Sequence, residues 1–259
     1  MKNPDHVVTV DVSKHAKTRV KPNVDFGHAK ELNVAAVMLG ELTAVVANFP
    51  VVFVEHPETK VTRPVAMFGL RPGENFFYGA DGWDSTYVPL LIQRHPFIIG
   101  LNDKDPDSKM LAMCLDRNSP YLSETDGIAL FKENGEGTEY LASRDMLLTE
   151  IFEGEKITDQ FTKKMKELGL LAPFELVLQA MDGEMRKVTG MQTLSERKLQ
   201  ELTPEQAHEL RLSGFLPACY LIFSSLFQIH KLMQLRNRKS PDQLNYRIEL
   251  DPQPQVVTQ

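Results

Sequence analysis

The residue types most able to do chemistry gather in one segment, residues 68–97, which also holds the single tryptophan of the chain, Trp83. Near its end, the guanidinium of Arg94 could bind a carboxylate through two parallel hydrogen bonds, and His95 could exchange a proton near neutral pH. Trp83 and Tyr87 each combine a large apolar ring with one polar group that needs a partner when the ring is buried. The segment could therefore form either an acid–base site or a binding surface.

Two functional interpretations of this segment stay open, together with a structural one. In the first, the segment binds a peptide, a small ligand or a partner protein. The binding candidates are its polar and aromatic residues Asn75, Trp83, Tyr87, Arg94 and His95. In the second, Arg94 and His95 converge near Trp83 with turn carboxylates, in an enzyme site of unfamiliar type. Those carboxylates are Asp81 and Asp84. In the structural interpretation Trp83 fills the core under the loop and Arg94 binds loop carbonyls.

The remaining sequence contains no complete catalytic, metal-binding or phosphate-binding motif. No two of the seven histidines form an H-x-x-x-H or H-E-x-x-H pair, so a zinc-binding helix is not indicated. The chain also lacks the G-x-S-x-G nucleophile turn, the G-x-x-x-x-G-K-[ST] phosphate loop and the G-x-G-x-x-G dinucleotide fingerprint. The sequence therefore assigns no catalytic residue, no metal site and no cofactor.

The composition is that of an ordinary globular protein. The chain has 259 residues, 42% of them hydrophobic, and a formal net charge of −6, so no nucleic-acid binding is predicted. Cys114 and Cys219 lie in apolar stretches, which predicts two small buried thiols in a reducing compartment. The first residues lack the apolar core of an export signal, which favours a cytoplasmic location without excluding association with the envelope.

The most apolar stretch covers residues 215–229 and is followed at once by His230 and Lys231. It is shorter than the about 20 residues that a membrane-spanning helix needs, so no membrane insertion is predicted. A buried core helix is the first interpretation of this stretch, and a helix that forms a homodimer contact is the second.

Hydrophobic periodicity and turn residues divide the chain into hairpins and helices. Apolar residues at three- and four-residue steps predict a helix over 30–48, which Pro50 ends. Antiparallel strand pairs are predicted for 51–54 with 63–68, 97–101 with 110–115, 128–132 with 138–141, and 174–179 with 185–191. Further helices are predicted over 143–152, from Thr158 to a stop at Gly169, from a capping box at Thr203, and over 216–236.

Hairpins interleaved with helices, without a βαβ rhythm, predict an α+β fold with an antiparallel sheet, packed helices and a helical C-terminal half. The predicted organisation is an N-terminal extension over 1–29, a single domain over 30–240 and a flexible tail over 241–259. The domain could divide into sub-halves at 30–142 and 143–240.

Several short sequence motifs occur in the same order as in the SapC family of bacterial proteins, which the chain therefore resembles. They are F-P-V-V-F-V at 49–54, A-M-F-G-L at 66–70, G-E-N-F-F at 73–77, Y-V-P at 87–89, R-H-P-F at 94–97 and G-I-A-L-F at 127–131. With the helical C-terminal half, the resemblance covers roughly residues 30–240. The family more usually has a tyrosine where this chain has His95. The resemblance therefore implies a residue that fills an aromatic-sized slot rather than a catalytic acid or base.

The resemblance implies a soluble protein of bacterial origin and no particular reaction. The family name comes from an association with surface-layer proteins, and family genes often lie near TonB-dependent receptors and flavin-dependent tryptophan halogenases. Together with the residues above, it favours a non-enzymatic binding or accessory protein for a peptide, small ligand or partner protein, linked to such uptake or halogenase systems. The alternatives are an enzyme with a site near Trp83 and Arg94, and a structural component of the surface layer or envelope.

Overall fold

The computed structural model describes residues 4–21, 25–102 and 110–250. It confirms the α+β fold, because antiparallel sheets and helices alternate along the chain. The chain clusters into two compact units, each built from two separate segments. Unit 1 combines Met1–Gly27 with Leu90–Glu155, and unit 2 combines His28–Pro89 with Lys156–Gln259. These boundaries differ from the 142/143 division proposed from the sequence, because long-range strand pairing joins segments that are distant in sequence.

The secondary-structure elements are as follows in chain order. The strands are β1 (Val7–Thr9), β2 (Arg19–Val20), β3 (Val34–Ala36), β4 (Val51–Glu55), β5 (Thr62–Met67), β6 (Tyr78–Gly79), β7 (Gly82–Trp83), β8 (Phe97–Leu101), β9 (Leu111–Asp116), β10 (Leu122–Ser123), β11 (Ile128–Ala129), β12 (Leu171–Ala180), β13 (Met185–Leu194) and β14 (Leu244–Leu250). The helices are α1 (Val12–His15), α2 (Leu42–Val46), α3 (Leu90–Gln93), α4 (Glu139–Glu167), α5 (Glu196–Gln200), α6 (Pro204–Leu212), α7 (Phe215–Ser225) and α8 (Gln228–Lys239).

Unit 1 contains two small antiparallel sheets, with strand orders β1-β9-β8 and β10-β2-β11. The predicted pairing of 97–101 with 110–115 is confirmed in the β8–β9 hairpin, which pairs Phe97 with Leu115 and Leu101 with Leu111. The core consists of buried apolar side chains from the strands, from the residue after β11 and from α4: Val20, Phe97, Leu115, Leu130 and Leu148. Phe97 anchors the chain in this core shortly after Arg94 and His95.

The prediction of an N-terminal extension over 1–29 is wrong for the described residues. β1 pairs with β9, and β2 pairs with both β10 and β11. Val20 on β2 is 2% exposed. These strands are only two and three residues long, which is too short for an alternating pattern to stand out in the sequence.

The predicted hairpin over 128–141 forms only in part. The turn at Asn134-Gly135 is present, since Gly135 donates its N–H to the carbonyl of Lys132 at 2.9 Å and has φ +84°. Its second strand is reduced to one bridge between Phe131 and Gly137. The helix begins instead, because Thr138 Oγ1 accepts the N–H of Leu141 and so caps α4.

Unit 2 is organised around one six-stranded sheet with the order β14-β12-β13-β4-β5-β3. The predicted hairpins β4–β5 and β12–β13 are both confirmed and become neighbours through the pairing of β13 with β4. Helix α7 packs on this sheet against β4 and β13, and also against α2 and α6. The capping box at Thr203 is confirmed, with Pro204 at the first helical position of α6.

The helix predicted over 30–48 is largely wrong. β3 occupies part of this stretch and pairs with β5, for example Ala35 with Ala66, and only Leu42–Val46 forms an α-helix. The helical spacing of the apolar residues was real, but pairing with a neighbouring strand overrides such a local preference.

Two predicted helices, over 143–152 and from Thr158, are one continuous helix, α4. Thr158 does not begin a helix, and its Oγ1 instead accepts the N–H of Leu39 at 3.0 Å. Buried positions such as Ile151 and Phe161 continue the helical spacing through the expected break. The stop at Gly169 is confirmed, because this residue adopts φ +62° just beyond the helix end.

The flexible tail predicted from residue 241 is corrected for residues 244–250. This segment forms β14, which pairs antiparallel with β12. The pairing extends from Phe174 opposite Leu250 to Ala180 opposite Leu244. The sequence L-N-Y-R-I-E-L alternates apolar and polar residues, which is the pattern of a half-buried strand. Residues 251–259 of the predicted tail lie outside the described part of the chain.

Candidate functional site

Three of the five binding candidates belong to unit 2, and their polar groups bind within that unit. Asn75 is buried; its Nδ2 donates to the carbonyl of Ala29 at 2.8 Å, and its Oδ1 accepts the N–H of Phe77 at 2.9 Å. Trp83, on β7, donates Nε1–H to the carbonyl of Tyr87 at 2.9 Å. These contacts fix the loop that joins β5 to α3.

The hydroxyl of Tyr87 donates to Oε2 of Glu41 at 2.9 Å, and Glu41 is only 6% exposed. The other oxygen of Glu41 accepts the N–H of Met38 at 3.0 Å. The buried carboxylate is thus hydrogen-bonded on both oxygens, as a buried charge requires. Tyr87 therefore connects the loop to the segment just before α2.

Trp83 belongs to a group of four rings that we call the aromatic cluster: Phe49, Phe68, Phe77 and Trp83. Phe49 meets Phe68, Phe77 and Trp83 edge to face at centroid distances of 5.2, 4.8 and 5.9 Å. Its three phenylalanines are fully buried. This geometry agrees with the structural interpretation of Trp83.

The turn carboxylate of Asp84 has an electrostatic partner within unit 2. Burial lowers the pKa of Lys239, and the charge of Asp84 acts in the opposite direction. The ammonium group of Lys239 donates to the carbonyl of Tyr78. The negative charge of Asp84 therefore favours the protonated form of Lys239, at the end of α8.

Arg94 and His95 belong to unit 1. Burial lowers the pKa of Arg94, while the charge of Glu155 acts in the opposite direction. The Nε2 atom of His95 lies 2.8 Å from the hydroxyl of Ser119, and its ring meets Tyr121 edge to face at 5.7 Å. His95 therefore sits among aromatic and hydroxyl groups, which agrees with a residue in an aromatic-sized slot.

His95 also lines a cavity of about 190 Å³ in unit 1. The lining combines polar and apolar side chains and consists of Val20, Lys21, Phe26, Gln93, His95, Ile128, Tyr140 and Arg144. Of the five binding candidates, His95 is the one that lines a described cavity.

A larger cavity of about 780 Å³ lies in unit 2, along β13, and we call it the β13 groove. Its lining includes the apolar residues Leu178, Val188 and Leu244 and charged residues of both signs, such as Arg71 and Glu74. The volume falls within the range of known ligand pockets, about 300–1,000 Å³. The sequence analysis missed this site, because none of its residues has an unusual type or spacing.

One edge of β13 is open beside this groove. β13 pairs with β4 through Met191 and Gln192 only, so residues 185–190 have no partner among the described strands on that side. The open part ends at Gly190, whose φ of +82° changes the direction of the strand where the pairing with β4 begins.

Comparison with known proteins identifies the family. The SapC family model matches residues 10–232, which is most of the chain. The chain belongs to the SapC family. No curated protein and no solved structure matches it. The match begins at residue 10, so this SapC-family chain includes β2 in the family region, whereas the sequence analysis began the resemblance near residue 30.

Within the described residues of this family member, no group of three or more histidine, cysteine, aspartate or glutamate side chains could hold a metal ion. Cys114 and Cys219 are both buried free thiols, as the sequence predicted. Burial raises the pKa of Cys219 to about 12. Both thiols therefore belong to the interior.

Among the described residues, one helical run, Phe215–Lys239, is long and apolar enough to cross a membrane by length and composition alone. In its most apolar 18 residues, 39% is buried. Its α7 part packs on the sheet with Cys219 and Ile222 fully buried. Tyr220 and Phe227, seven residues apart, are 51% and 84% exposed. The homodimer through this helix stays a prediction.

Proposed function

We propose that this SapC-family protein is a non-enzymatic binding protein whose ligand is an extended peptide segment docked along the open edge of β13. The observation that carries the proposal is the β13 groove, which runs beside a strand edge without a described partner. A peptide that adds a strand to such an edge gains main-chain hydrogen bonds, and side-chain pockets supply its specificity.

The lining of the groove favours an edge-on ligand. Arg186, Lys187, Val188 and Thr189 all contribute to it. Successive side chains of a strand point to opposite faces of the sheet. Four consecutive lining residues therefore bring groups from both faces of β13 into the lining, which supports a ligand at its edge, while Leu178 of β12 and Leu244 of β14 contribute the face of the sheet.

The hydrogen-bond pattern identifies which backbone groups are open. The N–H of Ala180 donates to the carbonyl of Glu184 at 2.9 Å, so this is a hydrogen-bonded pair of the β12–β13 ladder. In an antiparallel ladder, hydrogen-bonded pairs alternate with non-hydrogen-bonded pairs. Leu178 opposite Arg186 is therefore the next hydrogen-bonded pair, and Val177 opposite Lys187 is a non-hydrogen-bonded pair. The N–H and carbonyl groups of Lys187 therefore point away from β12, towards the open edge.

The side chains around the edge suit a peptide with both apolar and charged residues. Apolar residues such as Leu178 and Val188 line the groove together with the ion pairs Arg71–Glu74 and Arg186–Glu184, which provide charges of both signs. The systems that family genes accompany, TonB-dependent uptake and flavin-dependent halogenation, are the first sources in which to seek such a partner.

A matched pair of variants tests this proposal. Peptides selected from a random twelve-residue display library on the full-length protein would be measured against Lys187→Pro and Lys187→Ala. Both variants lose the contacts of Lys187 with Glu175 and Glu249, but only proline removes the outward N–H. We expect Lys187→Pro to weaken binding at least about tenfold and Lys187→Ala to retain it.

Circular dichroism would establish that both variants are folded. Enrichment of no peptide, or equal binding by wild type and Lys187→Pro, would refute the strand-addition mode. The same selection with Arg94→Gln and His95→Gln tests the alternative surface, because a ligand held there would lose affinity in those variants.

A further inference from the structure

The cavity of unit 1 is lined in part by two cationic residues that the proposed function does not use. Lys21 and Arg144 contribute positive charges to its lining, while no aspartate or glutamate is among the described lining residues. The other polar lining residues are Gln93, His95 and Tyr140. Each of these side chains carries a group that donates hydrogen bonds, so the polar residues of the lining favour a negatively charged acceptor.

We propose that this cavity binds a phosphate-sized oxyanion, either free or as the terminal group of a small molecule. An oxyanion offers several acceptor oxygens to converging donors, and charge-assisted hydrogen bonds of this kind are about twice as strong as neutral ones. The planar guanidinium of Arg144 suits two oxygens at once, whereas Lys21 supplies a point charge.

The described contacts of Arg144 hold its side chain in place without using its terminal nitrogens. Its Nε donates to the hydroxyl of Ser143 at 3.3 Å. The guanidinium carbon lies 5.4 Å from the ring centroid of Tyr140, in a cation–π contact. These contacts orient the guanidinium and leave Nη1 and Nη2 as the donors for an oxyanion.

Tyr140 provides a neutral donor beside these charges. Burial raises the pKa of its hydroxyl, and the charge of Arg144 acts in the opposite direction. The hydroxyl is therefore protonated at neutral pH, where it can donate to an anion.

A carboxylate near the cavity, Asp25, accepts a hydrogen bond from the hydroxyl of Tyr121, and the ring of Tyr121 packs on His95.

The size of the cavity limits the ligand. A volume of about 190 Å³ is roughly six times the 30 Å³ that one water molecule occupies in the liquid. A phosphate group or a compact phosphate monoester fits this volume. The apolar lining by Val20, Phe26 and Ile128 would accept a small hydrocarbon part attached to the oxyanion.

The test is an NMR titration of the full-length protein with inorganic phosphate, and separately with phenyl phosphate, at constant ionic strength. We expect saturable shifts, an Arg144→Gln variant weakened at least about tenfold, and a Lys21→Gln variant weakened about threefold or more. Arg117→Gln and Lys17→Gln are the matched controls, because they remove the same charges from exposed positions of unit 1 outside the cavity lining. Both controls should bind like wild type.

The two ligands distinguish the two sources. Binding of phosphate alone indicates a free anion, and binding of phenyl phosphate with equal or higher affinity indicates the terminal group of a larger molecule. Absence of saturable binding by both ligands, or unchanged affinity in Arg144→Gln, would overturn the proposal. Because the peptide test probes Lys187 in unit 2, either proposal can fail while the other holds.

Discussion

The aromatic cluster and the β13 groove differ in two respects. The cluster contains rare residue types and is closed, whereas the groove is lined by common residue types and is open. The cluster contains the only tryptophan of the chain, yet its rings pack on one another and the loop polar groups bind within unit 2. The groove is lined by ordinary strand residues such as Val188 and Thr189, and it borders an open backbone edge. In this molecule, the rare aromatic side chains pack into a closed cluster, and common strand residues line the larger cavity.

The difference has a physical basis in what each residue type must satisfy. A buried aromatic ring gains most when it is surrounded by other apolar groups, and its polar atom then needs one partner. Trp83 and Tyr87 both find that partner nearby. A strand edge already presents a row of donors and acceptors, so the proposed peptide docking requires no unusual side chain.

The largest expected effect comes from opening the aromatic cluster. We predict that Phe49→Ala lowers the free energy of unfolding by about 3–5 kcal/mol, because it removes a fully buried ring and leaves a cavity. Phe227→Ala is the matched control, since Phe227 is 84% exposed and its truncation should change stability by less than about 0.5 kcal/mol. Urea unfolding measures both values. Equal effects of the two substitutions would contradict the closed character of the cluster.

A smaller effect is expected from the hydroxyl of Tyr87. We predict that Tyr87→Phe costs about 1–3 kcal/mol of stability, because the buried carboxylate of Glu41 loses a donor. Tyr220→Phe removes a hydroxyl from a ring that is 51% exposed and should be nearly neutral. If Tyr87→Phe also leaves peptide affinity unchanged, Tyr87 supports the fold and does not contact the peptide. A loss of affinity without a loss of stability would instead make Tyr87 part of a ligand surface.

Much of the fold could be predicted from local pattern. The hairpins β4–β5 and β12–β13, the capping box at Thr203 and the stop at Gly169 follow from turn and cap chemistry that acts within a few residues. The errors arise where distant segments pair. The stretch that contains β3 has helical spacing, but β5 draws it into the sheet; β14 was predicted as a tail although its alternation indicates a strand.

The candidate sites were harder to predict, because they depend on which distant segments become neighbours. The open edge beside the β13 groove results from a pairing of β13 with β4 that involves only Met191 and Gln192, and periodicity carries no information on the extent of that pairing. The cavity of unit 1 joins residues from four separate stretches, including Lys21, His95 and Arg144. His95, a candidate from the sequence, lines this cavity. For Trp83 the sequence left a binding and a structural interpretation open, and the described contacts of Trp83 and Tyr87 lie within unit 2.

A cysteine placed in the β13 groove is expected to have the smallest effect on stability. It also allows the exposure of the groove to be compared directly with that of the buried interior. We predict that Thr189→Cys changes the free energy of unfolding by less than about 0.5 kcal/mol, since Thr189 is exposed. The new thiol should react with iodoacetamide in the native state at pH 8. Cys114 and Cys219 provide the internal control, because both are fully buried and the raised pKa of Cys219, about 12, keeps its thiol protonated at that pH.

Mass spectrometry of the labelled protein would locate each modification. A peptide that adds a strand to β13 should slow the labelling of Thr189→Cys and leave the two native thiols unlabelled. If labelling at position 189 were as slow as at Cys219 without any peptide, the groove would be closed. The contrast between a sealed interior and an open edge would then fail.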